Sequence, residues 1–122
     1  MGLFDLLKTK ESATTIPEDC EILFVNEFLI VGESYECRKN KKHKRINVIK
    51  KTKVNSPVHI ERYLYNKKPA YMIVNTKLDL DLGVLSAGAA DWLSDYYNKG
   101  TVFAELVDKY ESSFHVRIAV CR

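Results

Sequence analysis

Three histidines, three cysteines and one close pair of aspartates are the residues whose chemistry could define a site. His43 lies within a run of lysines, His59 opens an alternating stretch and His115 sits in the last such stretch. None stands at motif spacing from a carboxylate or a nucleophile, so no acid–base pair or triad is legible. Cys20, Cys37 and Cys121 make no C-x-x-C pair, and Cys37 and His43 stand at no recognised zinc spacing. An odd number of widely spaced cysteines points away from a disulfide framework and towards a reducing, cytoplasmic setting. Cys121 closes an alternating stretch and reads as a small core or edge residue. Asp79 and Asp81 share one strand face, but two carboxylates alone make a poor cation site, and solvent-facing alternation accounts for them. The expectation is a protein that is no enzyme and carries no metal or cofactor.

Charge gives a stronger signal. Arg38, Lys39, Lys41, Lys42, Lys44, Arg45, Lys50, Lys51 and Lys53 are nine of the 19 basic residues, and no acid interrupts them. The remainder of the chain is acidic, so one cationic segment is set on an acidic body. A local field of one sign attracts polyanions such as nucleic acid. The same run also reads as a solvated tip whose lysines keep the protein soluble. Arg38 to Lys44 is expected to be an exposed, mobile connection between strands, because like charges this dense cannot be buried unpaired. Tyr63, Tyr65 and Tyr71, close to Lys67 and Lys68, could form a platform for a single strand, or could be ordinary cross-strand aromatic pairs on a half-buried face.

The elements that must position these residues are those of one small domain. A chain of 122 residues with 46% apolar and 29% charged residues suits a single core and excludes collagen-like, disulfide-scaffold and wholly disordered classes. No apolar run is long enough for a membrane span. Met1 to Lys8 reads as a short helix that lacks the features of a signal peptide, and Leu6 stands where a myristoylation motif needs Ser or Thr. Thr9 to Asp19 is polar and reads as a linker, leaving residues 20–122 as the domain. Within it, Glu21 to Glu36 is β-rich with a bulge or bend expected at Gly32. Arg45 to Lys50, His59 to Tyr65, Ala70 to Asn75, Asp79 to Leu85, Thr101 to Tyr110 and Phe114 to Cys121 all alternate as strands do. One segment has helical period: Ser86 is a suitable N-cap, and Ala89, Trp92, Leu93, Tyr96 and Tyr97 make one face up to about Asn98. Gly100 is placed to end it in a left-handed cap. Six or seven strands with one main helix at about 86–98 give a mainly β (α+β) fold. A small, partly open barrel or a curved antiparallel sheet fits, with a plain two-layer sheet as the alternative.

Several of these segments resemble a known family. Ile30-Val31-Gly32-Glu33-Ser34-Tyr35 is similar to the opening strand of HIRAN domains, where a Val-Gly pair is followed closely by Tyr. Pro69-Ala70-Tyr71-Met72-Ile73 resembles the following strand, and Gly83-Val84-Leu85 with Ala90 and Leu93 resembles the strand end that runs into the helix. The likeness covers about Leu29 to Val120. It implies a barrel related to the oligonucleotide-binding (OB) fold that grips single-stranded DNA, as small separate bacterial members of the family would. Tyr35 matches the aromatic that stacks on a base. Ser34 stands where DNA-binding members often carry Arg or Lys, Glu36 where a second aromatic often follows, and Lys67 where the family has Asp. The implied nucleic-acid residues are therefore Ser34 and Tyr35. Charge adds Arg38, Lys39, Lys41, Lys42, Lys44, Arg45 and Lys67. A protein-interaction or accessory domain that kept this scaffold without its DNA pocket is the alternative.

Overall fold

The computed structural model describes residues 16–122. The short helix expected at Met1 to Lys8, and the linker as far as residue 15, lie outside the described residues. The described residues form six strands in two antiparallel sheets. β1 (Ile22–Leu29), β6 (Ser113–Cys121) and β5 (Thr101–Tyr110) form the first, in the order β1-β6-β5; β2 (Val58–Tyr65), β3 (Lys68–Asn75) and β4 (Leu80–Val84) form the second. The fold is mainly β, as the alternation predicts, and β2 packs against β5 across the two sheets.

The chain leaving β1 joins the sheets. Ile30 N–H donates to the Phe114 carbonyl of β6, and Val31 then exchanges both backbone hydrogen bonds with Val84 of β4. Gly32 follows at φ +81°, and a Cβ there would lie 2.9 Å from Arg45 Nη1. A bend is present at this glycine, and both its positive φ and the close approach of the Arg45 guanidinium favour a residue without a Cβ. The result is a curved, incompletely closed arrangement, not a sealed barrel.

The core lies between the two sheets. Phe114, Val116, Ile118 and Val120 from β6 face Val58, Tyr71 and Ile73 from the other sheet, and all are at most 1% exposed. The main helix, α2 (Ala87–Tyr96), begins at Ser86, whose Oγ accepts the Ala89 N–H as expected. It buries Ala89, Ala90 and Leu93, and it spans from one sheet to the other. Tyr96 stacks on Phe24 of β1 at 4.0 Å, Trp92 lies 5.5 Å from Phe28, and Ser94 Oγ meets the Tyr71 hydroxyl at 3.0 Å. A 3-10 turn, Tyr97–Lys99, continues α2. Gly100 is extended, not left-handed; it is required because a Cβ would run into the Cys121 carbonyl oxygen.

Two further expectations are overturned. Arg45–Lys50 is not a strand but a six-residue helix, α1, which packs against β4. Its buried residues are Arg45, Val48 and Ile49, followed by Thr52, whose Oγ1 donates to the Val48 carbonyl and accepts from Asn75 at the end of β3. That is the spacing of one helix face. The cysteines also differ from expectation. Cys20 and Cys121 are joined in a disulfide with Cα atoms 5.6 Å apart, and only Cys37 is free. The pairing ties the entrance of β1 to the end of β6, where Ile22 already faces Cys121. No helix of the described residues is long and apolar enough to cross a membrane.

Candidate nucleic-acid interface

The basic segment is built around a carboxylate that alternation assigns to solvent. Asp81 is 0% exposed. Its Oδ2 accepts the Arg38 amide at 2.9 Å and Arg45 Nε at 2.7 Å, and its Oδ1 accepts the Lys39 amide at 2.9 Å. Arg45, 6% exposed, also donates from Nη1 to the Gly32 carbonyl. The loop from Gly32 to Lys44 is thus pinned at both ends. Inside it, Glu36 and Lys44 form an antiparallel bridge, Cys37 N–H donates to the His43 carbonyl and Arg45 N–H to the Tyr35 carbonyl. Burial pushes the Asp81 carboxyl up, but the two amides and the Arg45 guanidinium outweigh it and hold the group below its ordinary value. The buried Cys37 thiol is pushed up, first by burial and then by the Asp81 charge, which leaves it a poor nucleophile.

A second set of contacts lays the loop against the β2–β3 hairpin. Lys39 Nζ lies 2.7 Å from Glu61 and 2.8 Å from Asp79. His59 Nε2 meets the same Glu61 carboxylate at 2.8 Å, and its Nδ1 meets Thr76 Oγ1. Burial raises the Glu61 carboxyl, yet Lys39 and His59 more than offset this and lower it. Arg38 places its guanidinium 4.1 Å above the Tyr63 ring, a cation–π contact. Asp81, Glu61 and Tyr63 lie on one face of the sheet, as the strand register requires.

The expected site residues therefore divide. Arg45 and Lys39 are not free to meet phosphate: the first is buried against Asp81, and the second is committed to Glu61 and Asp79. A buried guanidinium without its carboxylate would be costly, so Arg45 stays with Asp81 rather than turning to the surface. The free, mobile connection expected over Arg38–Lys44 is corrected in the same way, since its first two residues are fastened to Asp81. Asp81 is likewise no solvent-facing aspartate, whereas Asp79 is exposed. Ser34, Arg38, Lys41, Lys42 and Lys44 are exposed, and Tyr35 is 68% exposed. Lys41, Lys42 and Lys44 make no ion pair with any described residue. The Glu36–Lys44 bridge places Lys44 beside Tyr35 and its neighbours. Lys67 is exposed at the far end of the hairpin, in a two-residue turn with Asn66 at φ 50° and Lys67 at φ 66°. It is not brought to the Asp81 loop by any contact.

Charge reversal separates the two kinds of lysine. Replacing Lys41, Lys42 and Lys44 together by Glu is expected to change stability by no more than about 1.5 kcal/mol in a denaturant titration, roughly 0.5 kcal/mol for each, because none of these side chains makes an ion pair with a described residue. Sequence reading passes over Glu61 altogether, and it gives neither Asp81 nor Tyr63 its partner in the basic loop. Their partners in the loop lie 22 or more positions away, so spacing gives no signal for these contacts. Among the described residues no group of three His, Cys, Asp or Glu side chains converges as a metal site. Comparison with family models, with curated proteins and with solved structures finds no match to this chain.

Proposed function

We propose that the protein is a small nucleic-acid-binding module that holds single-stranded DNA weakly. Tyr35 supplies a stacking face and Lys41, Lys42 and Lys44 supply phosphate contacts. The observation that carries this reading is the exposed Tyr35 ring on the same Asp81-anchored loop as Lys41, Lys42 and Lys44, which make no ion pair with any described residue. An anchored loop loses little conformational freedom on binding, so the exposed groups keep more of their interaction energy. The resemblance to HIRAN domains, which matches Tyr35 to a base-stacking aromatic, supports the same assignment.

The competing reading is a protein-interaction domain. It is favoured by β1, an edge strand among the described residues, on which Ile22, Val25 and Leu29 are exposed. Salt separates the two. Binding of labelled single-stranded DNA should fall steeply as salt is added, because lysine contacts release condensed counterions. Tyr35→Ala is expected to weaken binding by about 1–3 kcal/mol with the salt slope unchanged. Reversing Lys41 and Lys42 to Glu should weaken all sequences alike and reduce the slope by roughly 0.7 for each phosphate no longer neutralised. Absence of salt-sensitive binding to any nucleic acid at micromolar protein puts the interaction domain first. The cytoplasmic placement suggested by the cysteine count is open to an equally direct test. A reducing compartment would keep Cys20 and Cys121 as thiols, so the thiol count of freshly isolated protein reports where it matured.

A further inference from the structure

We infer that the tip of the β2–β3 hairpin is a second base-stacking position, with Tyr65 as its platform; the inference rests on the single-strand reading above. The three tyrosines of this hairpin have different fates. Tyr71 is fully buried in the core, Tyr63 lies beneath the Arg38 guanidinium, and Tyr65 is 61% exposed. Tyr63 and Tyr65 are two residues apart on one strand, so they share a face at a separation of about 7 Å. The cross-strand partner of Tyr65 is Lys68, and that of Tyr63 is Ala70. On this face the order is therefore Lys39 on Glu61, Arg38 on Tyr63, and then an uncovered Tyr65 ring with an ammonium group opposite it.

The arrangement favours an unpaired base over other occupants. The Tyr65 ring offers an open aromatic face on a rigid hairpin, and Lys68 and the neighbouring Lys67 offer charge for the phosphates on either side. No acid follows Glu61 on this hairpin as far as Asn75, so the tip is uniformly cationic. Arg38 belongs to the basic loop and stacks on Tyr63, the residue two before Tyr65 on the same strand face, so the basic loop meets the hairpin one step from this tip. Base pairs in a duplex hide the faces that Tyr65 would use, so the preference is for single strands.

The test is fluorescence anisotropy with labelled oligo(dT) and a duplex of the same length, at low and high salt. The proteins are the full chain and its Tyr35→Ala, Tyr65→Ala and Tyr65→Phe variants. Tyr65→Ala is expected to weaken oligo(dT) binding roughly tenfold, with the salt slope and the duplex affinity unchanged, and Tyr65→Phe to restore it. Thermal unfolding of each variant serves as the folding control, and an exposed side chain at the tip should leave it near the parent value. If Tyr35→Ala weakens binding and Tyr65→Ala does not, the hairpin position is overturned while the single-strand reading stands. If the parent chain shows no salt-sensitive binding, both fall together. Loss of binding to phosphatidylserine vesicles in Tyr65→Ala, with oligo(dT) binding intact, also overturns the inference and assigns the tip to an anionic membrane surface.

Discussion

Asp81→Ala is expected to lower the unfolding free energy by about 3–5 kcal/mol, read as a shift of the denaturant midpoint at constant slope. The carboxylate is fully buried and holds three donors: two backbone amides and the Arg45 side chain. Removing it leaves a guanidinium 6% exposed with only the Gly32 carbonyl as partner. Against a total stability of about 5–15 kcal/mol for a domain of this kind, that loss is large. The double variant Asp81→Leu with Arg45→Met should recover part of it, because the stranded charge is gone. Recovery should stay incomplete, since the Arg38 and Lys39 amides still lack an acceptor. The pH dependence has a definite sign. The folded Asp81 carboxyl lies below its ordinary value, so its stabilisation is complete above that ordinary value, about 3.9. It is lost as pH falls through the lower folded value. Glu61, also lowered, adds in the same direction. Asp81→Asn should therefore be less stable than the parent at neutral pH, with the gap narrowing in acid. A gap that widened on acidification would overturn the assignment.

The same contact shows why the sequence is legible only in part. Strands β2, β3, β5 and β6 announce themselves through alternation, and α2 through helical period with Ser86 at its cap. Each of those signals is local. Asp81 alternates correctly in β4, and the face it occupies is the one alternation assigns, but the Gly32–Lys44 loop lies over that face. Nothing within a few residues of Asp81 records a partner 36 positions earlier. Arg45–Lys50 escapes a local reading for a related reason. Ile46, Val48 and Lys50 mimic a strand, while the helical face runs through Arg45, Val48, Ile49 and Thr52. Seeing it requires an arginine to count as a buried residue, which its charge argues against until its carboxylate is known. The exposure of Tyr35 and of the lysines at the loop tip follows from their own polarity and that of their neighbours in the chain. That of Lys39 does not, because its partners Glu61 and Asp79 come from the β2 strand and the turn before β4.

Cleaving the Cys20–Cys121 bond should produce the other large change in stability. The bridge closes a loop with a sequence separation of 101. In the chain-entropy account a loop of about 100 residues contributes roughly 4.7 kcal/mol through the unfolded state, and measured values are usually nearer 2–4. Contacts other than the bond also hold β1 to β6 at this point. Ile22 faces Cys121 across the β1–β6 ladder, and Arg122 N–H donates to the Glu21 carbonyl at 3.0 Å. Reduction should therefore leave the sheet intact and act on the unfolded chain, which regains its freedom. For a chain of 122 residues the midpoint temperature should drop by roughly 10 °C with little change in the far-ultraviolet spectrum of the folded state. Cys20→Ser should reproduce the effect of reductant, and reductant should have no further effect on that variant. Cys121, 3% exposed, is the poorer place for a hydroxyl, and Cys121→Ser should cost more than Cys20→Ser by the penalty of burying it. Equal midpoints with and without reductant, in protein shown by thiol counting to start oxidised, would mean that pairing of β1 with β6 already supplies the constraint in the unfolded chain. A fall much larger than the entropic value would instead place the bond in the native packing at the open edge of the first sheet, where β1 has only β6 as a strand partner among the described residues.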